Sequence, residues 1–222
     1  MPEFEDKWGF DRWAKSYDKD IRNGTHDEDW IFEGYGSILD KVVEYCELSE
    51  INYSAVLDIG IGTGNLASRF LNEGLNVIGI DPSKEMRKIC RDKYPEIQVK
   101  AGDFLHIPLT SESVDLIVSS YAFHHLTPTQ KETSIPEMKR VLKSKGRIVI
   151  SDLMFKNRSE EEKTKHNLRE SGQTDVIEVI EDEYFGSFDE LRKAFKAEGF
   201  SFHGEQLTAF VWIFGATLIK GK

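Results

Sequence analysis

Short apolar runs alternate with longer segments of helical period from residue 55 onward, and this alternation restricts the possible folds more than any other feature. Five of the runs predict buried strands: AVLDIG (55–60), NVIGID (76–81), IQVKAGD (97–103), VDLIVSS (114–120) and GRIVISDL (146–153). Between them, apolar residues share single helical faces, as Met86, Ile89 and Cys90 do. This order is typical of a parallel sheet with helices on both faces. The sequence therefore predicts an α/β domain.

The C-terminal end of the chain departs from the parallel pattern. A helix is predicted over about 188–198, because Ser187 is placed to cap its start and Gly199 its end. Two strand-like segments follow, 200–206 and 209–220, with few residues between them. They predict an antiparallel hairpin at the sheet edge.

The length of 222 residues fits one domain, 1–222. Two segments lie outside the predicted sheet: an N-terminal region, 1–48, expected to be a helical cover, and a charged insertion, 155–186, expected to act as a lid. Before the fifth strand, Pro136 interrupts a helical pattern. We expect either a new helix capped by Ser134 or a kink there.

Composition excludes several classes of partner. The net charge of −10 disfavours nucleic acid, whose phosphates are held by clustered Lys and Arg. Cys46 and Cys90 form no CxxC pair, so neither a zinc site nor a redox motif is indicated. No apolar run approaches the roughly 20 residues of a membrane span, and the acidic N-terminus is unlike a signal peptide. We expect a cytoplasmic protein without a membrane partner.

A glycine-rich loop follows the first predicted strand in VLDIGIGTGNLA. Gly60, Gly62 and Gly64 give the spacing GxGxG, whereas the dinucleotide fingerprint is GxGxxG. Asp58 lies just before the loop and would repel a pyrophosphate. It would attract an ammonium group, while a carboxylate of the same ligand could take the N–H groups near Thr63 at the start of the helix.

Two further acids end the next predicted strands. Asp81 follows Gly60 by 21 residues, where an acid accepts the hydroxyls of a ribose. Asp103 can accept the exocyclic amine of adenine while the N–H of Phe104 faces a ring nitrogen, and Met86 can cover the adenine face.

Each of the three acids also has a purely local interpretation. Asp58 could cap a turn, Asp81 the helix that starts at Pro82, and Asp103 could stabilise a bend. All three fall at carboxyl ends of strands, the edge where open α/β sheets bind ligands. That shared position favours an adenosyl cofactor carrying an ammonium group.

The motifs DIGIGTG, GIDPSKEM, AGDF and SSYAFHHL, in this order and spacing, resemble those of class I S-adenosylmethionine-dependent methyltransferases. Together with FDRWAKSYD near the start, they are similar to the small bacterial YrrT-type group. The resemblance implies a Rossmann-like, mostly parallel seven-stranded sheet with an antiparallel last strand. It implies S-adenosyl-L-methionine as cofactor, with Gly60 near the methionyl part, Asp81 at the ribose, Asp103 at the adenine amine and Ser120 beside the methionine end.

The function implied is methyl transfer to a small-molecule acceptor by in-line displacement, which needs mainly alignment and exclusion of water. A sensor that binds S-adenosylmethionine or S-adenosylhomocysteine without turnover is the alternative, since every assigned motif contacts the cofactor. An NAD-dependent oxidoreductase is less favoured, because of the loop spacing and Asp58.

Two adjacent histidines and one tyrosine are the candidates for chemistry. His124 and His125 follow the fourth predicted strand, and we expect at most one of them to face the site. Structural hydrogen bonding is favoured over catalysis as the role of these histidines. The pair has no supporting acid or third ligand in the motif, so no metal is predicted. Phe10, Trp13 and Tyr17 share one helical face, which either packs on the sheet or covers the cofactor with Tyr17 at its methionyl end.

The insertion contains DVIEVIEDE, which carries five acids and no base. A solvated face explains so many charges. If the segment instead covers the acceptor pocket, a cationic or amine-bearing acceptor is favoured.

Overall fold

A central twisted sheet organises the computed structural model, which describes residues 9–23, 29–48 and 53–219. The strands follow one another across the sheet in the order β3-β2-β1-β4-β5-β8-β7. They are β1 (Ala55–Ile59), β2 (Asn76–Asp81), β3 (Gln98–Ala101), β4 (Val114–Ser120), β5 (Leu142–Phe155), β6 (Gly186–Ser187), β7 (Phe200–Gln206) and β8 (Val211–Leu218). The two-residue β6 pairs with the end of β5 and lies off this path.

Helices connect the strands and cover the sheet. They are α1 (Phe10–Asn23), α2 (Tyr35–Tyr45), α3 (Ala67–Asn72), α4 (Lys84–Lys93), α5 (Pro128–Val141), α6 (Arg158–Glu170), α7 (Thr174–Asp182) and α8 (Phe188–Ala197). Short 3-10 turns occur at Asp29–Ile31 and Phe123–His125. Within the described ranges, no helix is long and apolar enough to cross a membrane.

The pairing of strands agrees with the predicted Rossmann-like sheet. Strands β1 to β5 pair in parallel, whereas β8 is antiparallel to both of its neighbours, β5 and β7. Successive residues of β1 point to opposite faces: Leu57 and Ile59 belong to one core layer, and Val56 belongs to the other. The expectation of a mostly parallel sheet with an antiparallel last strand is confirmed.

The observed bounds of the strands and helices agree with the predicted ones in some places and differ in others. Strands β2 and β4 match their predicted ranges, while β5 begins earlier than predicted, at Leu142. Of the two alternatives near Pro136, the helix restart is wrong, because α5 runs without interruption past that proline, and the kink stays a prediction. The start of α5 is capped by Thr127 and Gln130, and the hydroxyl of Ser134 donates to a carbonyl inside the helix instead of capping a new one.

The insertion packs on the sheet through its second helix. Ile177 and Ile180 of α7 are buried. Ile180 joins Phe155, Phe185 and Tyr121 in an apolar cluster at the carboxyl end of β5. This packing brings the residues that follow α7 to the edge of the sheet where the glycine loop lies.

Candidate active site

A cavity of about 540 Å³ opens at the carboxyl ends of the central strands. Its volume is within the range of small-molecule sites. Asp58, Asp81 and Asp103, which end or follow β1, β2 and β3, all line it. The three acids predicted from the sequence therefore lie around one space, and this follows from the parallel direction of their strands.

The three glycines of the loop have different structural roles, although each has a positive φ. A Cβ on Gly60 would lie 2.4 Å from the Cβ of Ala122, so the loop and the turn after β4 are in close contact. A Cβ on Gly62 would meet no atom within 4 Å. Both residues line the cavity, but Gly64 does not: it packs against Tyr94 of the region after α4. Gly64 therefore has a packing role in the structure, and its assignment to the cofactor stays a prediction.

Asp58 is the most deeply buried of the three acids, with 1% of its surface exposed. Burial, followed by the nearby charge of Asp81, raises the pKa of Asp58 to about 8. Its Oδ2 atom has no hydrogen-bond partner in the described ranges. A buried carboxylate oxygen without a partner is costly, so a cationic donor entering the cavity would satisfy it.

Asp103 performs the local task that was its alternative interpretation, whereas Asp81 does not cap α4, whose N-cap is Ser83. Asp81 accepts a hydrogen bond from the N–H of Gly62 at 2.9 Å and another from the N–H of Ser83 at 2.7 Å. The Oδ1 atom of Asp103 accepts the N–H groups of Leu105 and His106, both at 2.8 Å. A carboxylate has about four acceptor positions, so these bonds leave room for a ligand.

Other predicted cofactor residues also lie around this space. Met86, Phe104, Ser120 and Thr63 all line the cavity. The hydroxyl of Thr63, however, donates to the carboxylate of Asp18 in α1 at 2.5 Å. That hydroxyl connects the loop to the N-terminal helix.

Two acids of α1 that the sequence analysis did not select hold this helix to the site. Asp18 also accepts from Asn65 and pairs with Lys93 at 2.7 Å. Asp11 accepts from the hydroxyl of Ser83 at 2.6 Å and from the N–H of Glu85. Both acids lie beside helix starts, where negative charge is favourable. Their place on the polar face of α1 resembled ordinary solvation in the sequence.

The aromatic face of α1 borders the cavity. Phe10 and Tyr17 line it, whereas Trp13 packs on the Tyr17 ring with centroids 4.7 Å apart. Burial, followed by the charge of neighbouring Tyr35, raises the pKa of Tyr17 well above its ordinary value. Tyr17 therefore remains a neutral hydroxyl and is not suited to accept a proton at neutral pH.

The adjacent histidines lie in different surroundings. His124 is buried outside the cavity lining, and its Nδ1 lies 2.5 Å from Asp152 Oδ1 in β5. The other oxygen of Asp152 accepts the N–H groups of Ala122, Phe123 and His124. The expectation that no acid supports the histidines is wrong. Asp152 lies near the carboxyl end of a predicted strand, as the other three acids do, so the same positional rule could have selected it.

His125 lines the cavity and contacts the insertion. Its Nδ1 lies 3.0 Å from Glu183 Oε2, and its ring meets the edge of Phe10 at 5.1 Å between centroids. Glu183 follows α7 within the acidic run, where no sequence signal distinguishes it from its neighbours. Tyr184, the next residue, also lines the cavity.

The lining favours a ligand that carries positive charge. Among the described residues, the lining contains the carboxylates of Asp58, Asp81 and Asp103 but no lysine or arginine. A dinucleotide pyrophosphate would find no cationic partner there. An adenosyl ligand with an ammonium group fits both the unpartnered Asp58 oxygen and the open space at Gly62.

Comparisons with known proteins agree with this geometry. A family profile described as a methyltransferase domain matches residues 57–150. YrrT of Halobacillus halophilus, an uncharacterised methyltransferase, is 34% identical over 93% of this chain and 94% of its own. An uncharacterised methyltransferase of Geobacillus thermodenitrificans is 39% identical over 93% of this chain and 94% of its own.

Solved structures share the fold at low sequence identity. Magnesium protoporphyrin IX methyltransferase of Synechocystis, with bound S-adenosylhomocysteine, has a TM-score of 0.70 and 18% identity over 96% of this chain and all of its own. The [4+2]-cyclase SpnF has a TM-score of 0.65 and 15% identity over 84% of this chain and 81% of its own. A cyclase shares the fold, so the fold alone does not define the reaction.

The fold and the relatives together define the class: this enzyme is a class I S-adenosylmethionine-dependent methyltransferase. Within that class, the chain belongs to the YrrT-type family.

Proposed function

We propose that this enzyme transfers the methyl group of S-adenosyl-L-methionine to a small molecule that is neutral or cationic. One observation carries the proposal: a single cavity joins the three strand-end acids to an aromatic end formed by Phe10, Tyr17 and Tyr184. Its lining lacks Lys and Arg among the described residues, so a phosphate or carboxylate acceptor would be buried without a counter-ion.

Each of the three acids would bind a different part of the donor. Asp58 would pair with its ammonium group, Asp81 with the ribose hydroxyls and Asp103 with the adenine amine. Gly60 and Gly62 would let the donor approach the backbone, with Gly62 leaving open space. Met86, Phe104 and Ser120 would complete the pocket around the base and the methionyl part.

The sulfonium supplies a methyl group that is already activated toward a nucleophile. The residues of this chain then need to align the acceptor and exclude water. Helix α1 is suited to the second task, because Asp11 and Asp18 fasten it over the loops while Phe10 and Tyr17 face the cavity. The segment after α7 closes the other side through Tyr184.

Calorimetry with S-adenosylhomocysteine tests the donor half of the proposal. Asp103→Ala is the sharpest variant, because both described backbone bonds of Asp103 go to one oxygen, whereas Asp81 also braces the glycine loop. We expect it to weaken binding by about 1.5–3 kcal/mol, the contribution of a hydrogen bond to a charged group. Asp92→Ala, at an exposed position on α4, is the matched control.

Equal affinity in both variants would place the donor elsewhere in the molecule. The acceptor half is tested by incubating the enzyme and S-adenosylmethionine with a panel of amines, thiols, phenols and carboxylic acids, and measuring S-adenosylhomocysteine. We expect product with the neutral or amine-bearing compounds. Turnover confined to carboxylic acids would contradict the proposed acceptor class.

A further inference from the structure

A network of side chains adjoins the cavity at His125, outside the set of predicted donor residues. It joins three elements that are distant in sequence: the turn Phe123–His125, the end of β5, and the segment after α7. His125 is its member on the cavity lining, and Glu183 holds the Nδ1 atom of that ring.

Buried Lys131 of α5 joins two of these elements, the turn and the segment after α7. Its ammonium group donates to the carbonyl oxygens of Leu126, Tyr184 and His124. The turn and the insertion are thus fixed to one another next to the pair of His125 and Glu183. Burial lowers the pKa of Lys131 to about 8, so this clamp weakens above neutral pH.

The surroundings of the two adjacent histidines shift their pKa values in opposite directions. Burial and then the charge of His124 lower the pKa of His125, and Glu183 offsets only part of that effect. The pKa of His124 is raised, because Asp152 outweighs the cost of burial. At neutral pH, His125 is therefore a neutral imidazole, which is the state a general base requires.

We propose that His125 is the general base of the methyl transfer and that Glu183 is its positioning residue. This inference rests on the proposed function. It narrows the acceptor to a nucleophile that still carries a proton when it binds, such as a hydroxyl, a phenol, a thiol or an ammonium group.

The geometry assigns each atom a role. Glu183 accepts the Nδ1 proton of His125 and so selects the tautomer whose Nε2 takes the proton of the acceptor. The acceptor lone pair forms the new bond to the methyl carbon, and the carbon–sulfur pair stays on sulfur as a neutral thioether. The resulting imidazolium is stabilised by Glu183 and passes its proton to solvent.

A divalent cation is the competing explanation for this cluster. Ligand atoms of His124, His125 and Glu183 lie within 4.8 Å of one another. Each of these side chains already has a hydrogen-bonded partner, and the Lys131 ammonium lies beside the cluster. If His125 and Glu183 both bound a cation, the hydrogen bond between them would be lost or weakened next to a positive charge, so the geometry favours the base.

The first experiment needs no acceptor. Imidazole resonances of the full chain are titrated by NMR, with and without S-adenosylhomocysteine, and His125→Gln identifies the His125 signals. Because Glu183 raises the pKa of His125, Glu183→Gln should shift that titration to lower pH. Glu181→Gln, at an exposed glutamate of the same acidic run, should not. An unshifted titration in Glu183→Gln would overturn the positioning role.

The second experiment measures kcat against pH with an acceptor found in the screen. We expect kcat to rise through a pKa below the ordinary histidine value and to level off, with the inflection at lower pH in Glu183→Gln. His125→Gln should lower kcat by about 100- to 10,000-fold without changing the Kd of S-adenosylhomocysteine.

A pH-independent kcat that survives His125→Gln, while S-adenosylhomocysteine still binds, would overturn the base and leave the methyltransferase proposal intact. Loss of turnover in EDTA, restored by a divalent cation, would overturn it in favour of a metal. Absence of S-adenosylhomocysteine binding would instead overturn the proposed function itself. Thermal unfolding of His125→Gln shows whether this variant is folded. If it is not, the shift of the kcat inflection in Glu183→Gln still tests the proposal.

Discussion

The two ends of the cavity are built in different ways. The part of the cavity proposed to hold the donor is called the donor end; there Asp58, Asp81 and Asp103 lie at or just after the carboxyl ends of three parallel strands, and each is recognisable from the chain around it. The part proposed to hold the acceptor is called the acceptor end; there His125 meets Glu183 across 58 residues and His124 meets Asp152 across 28. The donor end uses local geometry repeated three times, whereas the acceptor end depends on long-range packing.

The two ends also differ in how firmly the fold fixes them. Strand ends and backbone N–H groups are part of the sheet, so they can change little without loss of the fold. The segment after α7 rests on the sheet through a few apolar residues, among them Ile177 and Ile180. It can therefore vary while the donor end stays the same.

The largest expected loss of stability comes from replacing Asp152, the buried acid of the acceptor end. Asp152→Ala removes the acceptor of the backbone N–H groups of Ala122, His124 and Leu153 and the partner of the His124 ring. We expect a loss of about 3–5 kcal/mol, because a buried charge and several donors lose their partner. Urea unfolding measures it.

Replacing an acid of the donor end by alanine should cost less stability than Asp152→Ala. Asp103→Ala leaves two half-exposed backbone donors that water can reach, and we expect a loss of about 1 kcal/mol. Equal losses in Asp152→Ala and Asp103→Ala would remove the distinction between the two ends.

An intermediate effect is expected where the two ends touch. Gly60→Ala places a Cβ 2.4 Å from Ala122 at a φ of +75°, whereas Gly62→Ala meets no atom within 4 Å at a φ of +55°. Both should lose about 1–2 kcal/mol from the left-handed backbone. Gly60→Ala should lose about 1–3 kcal/mol more from overpacking. Thermal or urea unfolding of the two variants gives the difference in stability that is due to the contact with Ala122. Identical losses would mean that the loop can move away from Ala122.

The last prediction concerns how the free energy of unfolding depends on pH through Asp58 at the donor end. Asp58 has a folded-state pKa of about 8 against an ordinary 3.8, so the folded protein holds a proton that the unfolded chain releases. The free energy of unfolding should therefore fall as pH rises through that window, by at most about 1.4 kcal/mol per pH unit.

Asp58→Asn should flatten this dependence, and S-adenosylhomocysteine should reduce it by placing an ammonium group beside the carboxylate. Urea unfolding at several pH values gives the slopes. If the native protein and Asp58→Asn have the same slope, Asp58 is ionised in the fold and the buried-acid interpretation is wrong.

Sequence patterns by themselves determined the sheet and selected three acids that line one cavity. Buried parallel strands are continuous apolar runs, so β2 and β4 were predicted with their full ranges, and glycine spacing with an acid before it is a local signal. Local signals failed where one residue could serve two purposes. Gly64 resembled its neighbours in the loop, yet it packs against Tyr94, and Pro136 lies inside a helix that tertiary packing maintains.

Only the tertiary structure decided which polar side chains meet. Nothing in the acidic run separates Glu183 from the exposed acids around it until α7 packs on the sheet and turns that carboxylate toward His125. The same packing separates the two adjacent histidines, burying one on Asp152 and leaving the other on the cavity lining. Periodicity records which face of an element is buried, but a hydrogen bond between distant segments depends on how those faces come together, which no local pattern contains.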